Sequence, residues 1–204
     1  MSDSLLHAIA LTLVPGIGDV AAKKLIAYCG SAEEVFKAKK NQLLKIPGMG
    51  EVTANSLLNH SVLTRAEKEL KFISKYKIDA LFYLDENYPK RLKHCADSPI
   101  MLYFKGKANL NAEKMISIVG TRKASDYGKK ITQDLVAELS EHQVSIISGL
   151  AYGIDIYAHK AAVQNKLPTV AVLAHGLDRI YPLAHKSTAQ KMLEEGGLDR
   201  KSVV

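Results

Sequence analysis

Three glycine-containing stretches in the second half of the chain carry the residue types that grip phosphate. Gly120-Thr121-Arg122 sets backbone N–H groups, a hydroxyl and a guanidinium in consecutive positions. A guanidinium presents a planar fork that suits phosphate bidentately, and a turn of backbone amides makes a concavity for anions. Ser148, Gly149 and Gly153 form a second cradle at the start of the next helix, where unpaired N–H groups favour negative charge. Gly176 lies in a third turn, Ala174-His175-Gly176. One such glycine alone serves as an ordinary strand-to-helix turn; Arg122 directly after the first turn points to an anion. Asp155 is expected to cap or brace the second turn. His159, one helical turn further on, is expected to be a satisfied structural histidine.

Bond-breaking chemistry has less to draw on. The sequence holds no G-x-S-x-G, no Walker A lysine and no paired-histidine metal motif, and Ser148 has no evident general base. His94-Cys95 lacks companions at metal-ligand spacing, so neither a metal nor a cofactor is expected. Cys29 and Cys95 form no C-x-x-C, and a reducing cytoplasm is the simplest compartment. These residues favour a binding protein over an enzyme.

The elements that must position the three turns alternate. Met115–Val119, Val144–Ile147 and Thr169–Leu173 are apolar runs of strand length. Between them lie helical patterns over Asp126–Ser140, with Ile131, Leu135, Val136 and Leu139 on one face, and over Ile154–Gln164. Buried strands alternating with helices predict a parallel, doubly wound sheet, with ligands at the carboxyl ends of the strands. All three candidate turns follow a strand directly.

The first half reads differently. Val14-Pro15-Gly16-Ile17-Gly18-Asp19-Val20-Ala21 recurs 32 residues later as Ile46-Pro47-Gly48-Met49-Gly50-Glu51-Val52-Thr53. Each copy lies between apolar helical patterns, which predicts two helix-hairpin-helix motifs. Gly16–Ala21 also fits a loose dinucleotide fingerprint, but no strand precedes it. Gly16, Gly18, Gly48 and Gly50 permit tight turns and bring helix N-termini to the surface, each suited to one DNA phosphate. Lys23 and Lys24 follow the first turn, whereas Asn55 and Ser56 stand in the second copy. The same glycines serve equally well in a compact helical scaffold, so both roles stay open. A further helix is predicted over 61–77, then short strands at Ala80–Tyr83 and Ile100–Phe104.

Composition sets the outer bounds. The 204 residues are 47% hydrophobic and 24% charged, with 13 Gly and 6 Pro, which excludes a disordered or collagen-like chain. No apolar run reaches the length of a membrane span, and Met1-Ser2-Asp3-Ser4 has no basic leader character. The net charge of +7 permits a polyanion without requiring one.

Taken in order, the motifs resemble one family. Ser117–Arg122 with Ser125 and Tyr127-Gly128 is similar to the G-[ST]-R-x-x-[ST]-x-Y-G signature of the DprA/Smf family, the DNA-processing protein A of natural transformation. Ser148–Asp155 with Ala158-His159 resembles its S-G-x-A-x-G-I-D-x-x-A-H, and Gly176–Pro182 its G-x-D-x-x-Y-P. Tyr88-Pro89, Leu92, Ser98-Pro99 and Leu102-Tyr103 resemble the segment before its Rossmann-like domain.

The resemblance implies an α/β fold: an N-terminal helical helix-hairpin-helix domain followed by a Rossmann-like sheet, incomplete here. It implies sequence-independent binding of incoming single-stranded DNA, its protection, loading of RecA and homodimerisation, with no membrane involved. Gly120, Thr121 and Arg122 would grip phosphates, with Ser148 and Gly149 in the same pocket, and with Lys123 and Lys129 as electrostatic helpers. Ser125, Gly153 and Gly176 enter through the matched motifs. The alternative is a Rossmann-like enzyme such as a nucleoside-monophosphate phosphoribohydrolase, but its P-G-G-x-G-T-x-x-E motif is not found.

Expected domains are 1–77 (hairpins), 78–113 (linker), 114–198 (truncated Rossmann-like part) and 199–204. Family members continue through further strands, and Asp199–Val204 matches what a sequencing-adapter read would encode, so these six residues are expected to be foreign.

Overall fold

A computed structural model of the chain describes residues 3–58 and 61–201. They divide into two compact units, one running to Leu102 and the other covering Tyr103–Lys201. The segment expected as a linker is shared between them.

The first unit contains α1 (Asp3–Leu13), α2 (Asp19–Cys29), α3 (Ala32–Lys37), α4 (Lys40–Leu43), α5 (Glu51–Leu58), α6 (Val62–Tyr76), β1 (Asp79–Phe82), α7 (Lys90–Lys93) and the first residues of β2 (Met101–Gly106). The repeat is visible bond for bond. Ile17 donates to the Val14 carbonyl at 3.2 Å and Met49 to the Ile46 carbonyl at 3.0 Å. Ala22 then donates to Gly18 at 2.9 Å and Ala54 to Gly50 at 3.0 Å. Gly16 and Gly48 sit at φ +80° and +84°, a region that costs other L-residues on the order of 1–2 kcal/mol. This is why both copies of the turn begin with glycine. Ile17 and Met49, between the paired glycines, are both buried, as are Ile9, Leu11, Leu25 and Leu43 of the same unit.

The second unit completes β2 and adds β3 (Met115–Ser117), α8 (Asp126–Leu139), β4 (Ser145–Ser148), α9 (Ile154–Gln164), β5 (Thr169–Leu173), α10 (Lys186–Glu195) and β6 (Gly197–Lys201). Within this unit the strands run β2-β6-β5-β4-β3. The last four strands are parallel, in the registers Ile116↔Ile146, Ile147↔Val170 and Ala171↔Leu198. The intervening helices supply the long crossovers that parallel pairing needs. One part of the core joins Val136, Val144, Ile146, Ala158 and Ala162; another joins Leu150, Ile156, Ala171, Met192 and Leu198. Alanines on α9 let it lie close to β4 and β5.

One expected face is corrected. Ile131 and Leu135 of α8 are 47% and 43% exposed, while Thr132 and Val136 are buried. Val136 and Leu139 of the expected face do pack on the core, but Ile131 and Leu135 turn outward and Thr132 takes the inward place. Thr132 tolerates burial because its hydroxyl donates to the Gly128 carbonyl at 2.8 Å. Asp199 and Arg200, in the segment expected to be foreign, pair with Val172 and Leu173 in the β5–β6 ladder. The Asp199 side chain is buried and its Oδ1 has no hydrogen-bond partner among the described residues. Ser202, Val203 and Val204 of that segment lie outside the described residues.

Candidate nucleic-acid interface

The carboxyl ends of β3, β4 and β5 open onto a cleft of about 290 Å³, lined by Arg122, Gly149–Tyr152, Val172–His175, Tyr181 and Pro182. Arg122 is the one formally charged residue among these described lining residues, and the Asp155 carboxylate lies close to Gly149 in the wall. Tyr152 and Tyr181, 50% and 69% exposed, bring phenol rings to its edge.

Gly153 joins the first two turns. It sits at φ +82°, and a Cβ there would lie 1.9 Å from the Thr121 carbonyl oxygen. Only glycine lets the turn after β4 approach the turn after β3 this closely. The Ile154 N–H then donates to that same Thr121 carbonyl at 3.2 Å. The Ser148 hydroxyl is buried and donates to the Ile118 carbonyl at 2.6 Å, so it ties strand ends together. Ser125 is the N-cap of α8, accepting from Gly128 N–H at 3.2 Å. Thr121 Oγ1 accepts from Lys123 N–H at 3.2 Å. Lys129 pairs with Asp126 at 2.8 Å, which raises the lysine and lowers the carboxyl. Gly120, Thr121, Arg122 and Lys123 are exposed. Gly176 abuts the Asp178 carboxylate beside the cleft.

Of the expected residues, the structure brings Arg122 and Gly149 into the cleft wall itself. Sequence reasoning missed Tyr152, His175 and Tyr181. The Tyr181-Pro182 pair closing the third motif was the available signal. His175 holds Tyr181 in place: its Nδ1–H donates to the Gly176 carbonyl at 2.9 Å, and its Nε2 accepts from the Tyr181 N–H at 3.2 Å. His159 is fully buried, as expected of a structural histidine, and burial pushes its imidazole down to about 4. In the hairpin unit, Lys23 donates to Ser98 Oγ at 2.7 Å and to the Ala96 carbonyl at 3.1 Å. Lys24 is exposed beside Gly48.

The fold and cleft define a class: a Rossmann-like protein with an arginine-lined, aromatic-edged cleft at its strand ends, preceded by tandem helix-hairpin-helix motifs. The chain belongs to the DNA recombination-mediator protein A family, whose model matches residues 79–198. A SAM-like helix-hairpin-helix tandem matches residues 8–60. The DNA processing protein DprA of Streptococcus pneumoniae is 33% identical over 173 residues, 75% of this chain and 61% of that protein. Protein Smf of Escherichia coli is 34% identical over 66% of this chain and 39% of its own length. The crystal structure of the pneumococcal protein aligns with a TM-score of 0.67 at 25% identity, covering 98% of this chain and 67% of that one. A structure describing the single-stranded DNA binding mode of Helicobacter pylori DNA processing protein A aligns with a TM-score of 0.54 at 30% identity, over 62% of this chain and 56% of that one. The chain thus spans under two thirds of the curated relatives' length.

Proposed function

We propose that the chain binds single-stranded DNA without sequence preference, gripping a phosphate with Arg122 and the turns after β3 and β4. Tyr152 and Tyr181 offer stacking faces to bases. The observation that carries this reading is the cleft itself, where one guanidinium, exposed main-chain turns and two phenol rings converge. Such a combination suits an unpaired strand, whose bases are free to stack, better than a duplex. The likeness to the Helicobacter pylori protein supports the same ligand. The lining supplies donors and rings, which is equipment for holding a strand. We further assign to the complete protein the role of a mediator that protects the strand and passes it to RecA, acting as a homodimer in the cytoplasm.

The test is fluorescence anisotropy with single-stranded and duplex oligonucleotides across a salt series. The single strand is expected to bind more tightly. Arg122→Ala should weaken it roughly 10-fold and reduce the slope of log affinity against log salt by about 1. Equal affinity for duplex, or an unchanged slope in the variant, would count against the reading. RecA loading is tested by nucleation of RecA on strands coated with single-stranded-DNA-binding protein, with and without this chain.

A further inference from the structure

Two buried histidines from different parts of the chain reach the same short turn. His159 on α9 is 0% exposed and its Nε2 contacts the Gly149 carbonyl. His185, in the 3-10 turn before α10, is 5% exposed and its Nδ1 lies 2.7 Å from the Leu150 carbonyl. A carbonyl oxygen can only accept, so each of these ring nitrogens carries the hydrogen. His159 is thereby the Nε2–H tautomer and His185 the Nδ1–H tautomer.

The consequence lies on the other side of two peptide planes. The bonds following Gly149 and Leu150 are trans, so each carbonyl and the next N–H point in opposite directions. Drawing the Gly149 and Leu150 carbonyls inward turns the Leu150 and Ala151 N–H groups outward, on the cleft-lining turn. Neither N–H donates to any described residue. Two successive outward amides beside a guanidinium form an anion cradle.

We propose that His159 and His185 are positioning residues that hold the Leu150 and Ala151 N–H groups toward a bound phosphate. This rests on the reading of the cleft given above and adds to it the two donors and the means by which they are aimed. Neither histidine touches the strand; each acts through a carbonyl, and the His185 ring also packs edge-on against Tyr152, with centroids 4.9 Å apart.

The two tautomers give the proposal its test, because asparagine replaces a histidine Nδ1 donor and glutamine an Nε2 donor. His159→Gln and His185→Asn should bind a dT oligonucleotide within about 2-fold of the native chain. The swapped isosteres His159→Asn and His185→Gln should each lose on the order of 5- to 10-fold, at matched thermal stability. A purely structural role would not follow this crossed pattern, and equal effects of Asn and Gln at both sites would overturn the proposal. A second measurement needs no variant. In ¹H–¹⁵N spectra of the native chain, the His159 and His185 rings should report the tautomers named above. Inorganic phosphate should shift the Leu150 and Ala151 amides. Opposite tautomers overturn the proposal. A chain that binds the oligonucleotide with those amides unmoved also overturns it, while keeping the DNA reading. One that ignores single strands yet shows the amide shifts with phosphate keeps the cradle and removes the DNA reading.

Discussion

His159 and Asp199 are buried titratable groups displaced in opposite directions. The imidazole falls from 6.5 to about 4 and the carboxyl rises from 3.8 to about 6, both through burial. For His159 the folded state binds fewer protons, so its contribution to stability is complete above pH 6.5 and is lost as pH falls toward 4. For Asp199 the folded state holds its proton longer, so stability is greatest near pH 4 and is lost as pH rises through 6. Each displacement of roughly 2 units corresponds to on the order of 3 kcal/mol, and within the window the two oppose each other. Urea denaturation at several pH values should therefore separate them. Relative to the native chain, Asp199→Asn should stabilise at pH 7 and leave pH 4 unchanged. Removing the imidazole with His159→Gln should flatten the loss of stability on acidification. Parallel pH profiles for all three chains would contradict both assignments.

At the scale of elements, the turns and helix faces make separate claims. Gly16→Ala and Gly48→Ala meet almost no steric obstacle, since a Cβ at either position finds at most the tip of Lys24 within 4 Å. Their cost is conformational, about 1–2 kcal/mol each and similar in the two copies. Gly153→Ala adds a collision with the Thr121 carbonyl, so thermal denaturation should show a larger loss than at either hairpin glycine, with the cleft displaced as well. On α8, Ile131→Lys and Leu135→Lys should change stability by no more than about 0.5 kcal/mol, whereas Val136→Ala should cost more than 1 kcal/mol. The end of α9 and the start of β5 were legible because the apolar pattern stops at Gln164-Asn165 and resumes after Pro168. The inward face of α8 was legible only in part: Val136 and Leu139 were expected inward and are, whereas Ile131 and Leu135 were placed there and Thr132 was not. Apolarity alone favours Ile131 over its neighbour Thr132. The hydroxyl bond from Thr132 to Gly128, which admits a polar residue to the core, is invisible to a pattern of residue types.

Across the whole molecule, order carried more than any single motif did. The doubled P-G-x-G turn and three strand-turn-helix segments announced two kinds of unit, and family membership followed from their sequence along the chain. The cleft was only partly legible: Arg122 and Gly149 stood in recognisable turns, but His185 reaches Leu150 across 35 positions, a pairing that only the completed fold creates. Because the proposed grip combines main-chain donors, a guanidinium and aromatic rings, affinity should vary little with base composition. Homopolymeric dT and dC strands and a mixed sequence are expected within a few-fold of one another by anisotropy. A preference above about 10-fold would mean that base edges are being read. The histidine contacts can also be counted in hydrogens. The Gly149 carbonyl, the His159 ring, the Thr169 hydroxyl and the Ile146 carbonyl form a row of three contacts, with 2.7 Å from Nδ1 to Oγ1 and 2.9 Å from Oγ1 to the Ile146 carbonyl. A neutral ring and one hydroxyl supply two hydrogens for those three contacts. With Nε2–H committed to Gly149, the single hydroxyl hydrogen is contested between a ring nitrogen and a strand carbonyl, and the row is filled only when an acid proton arrives.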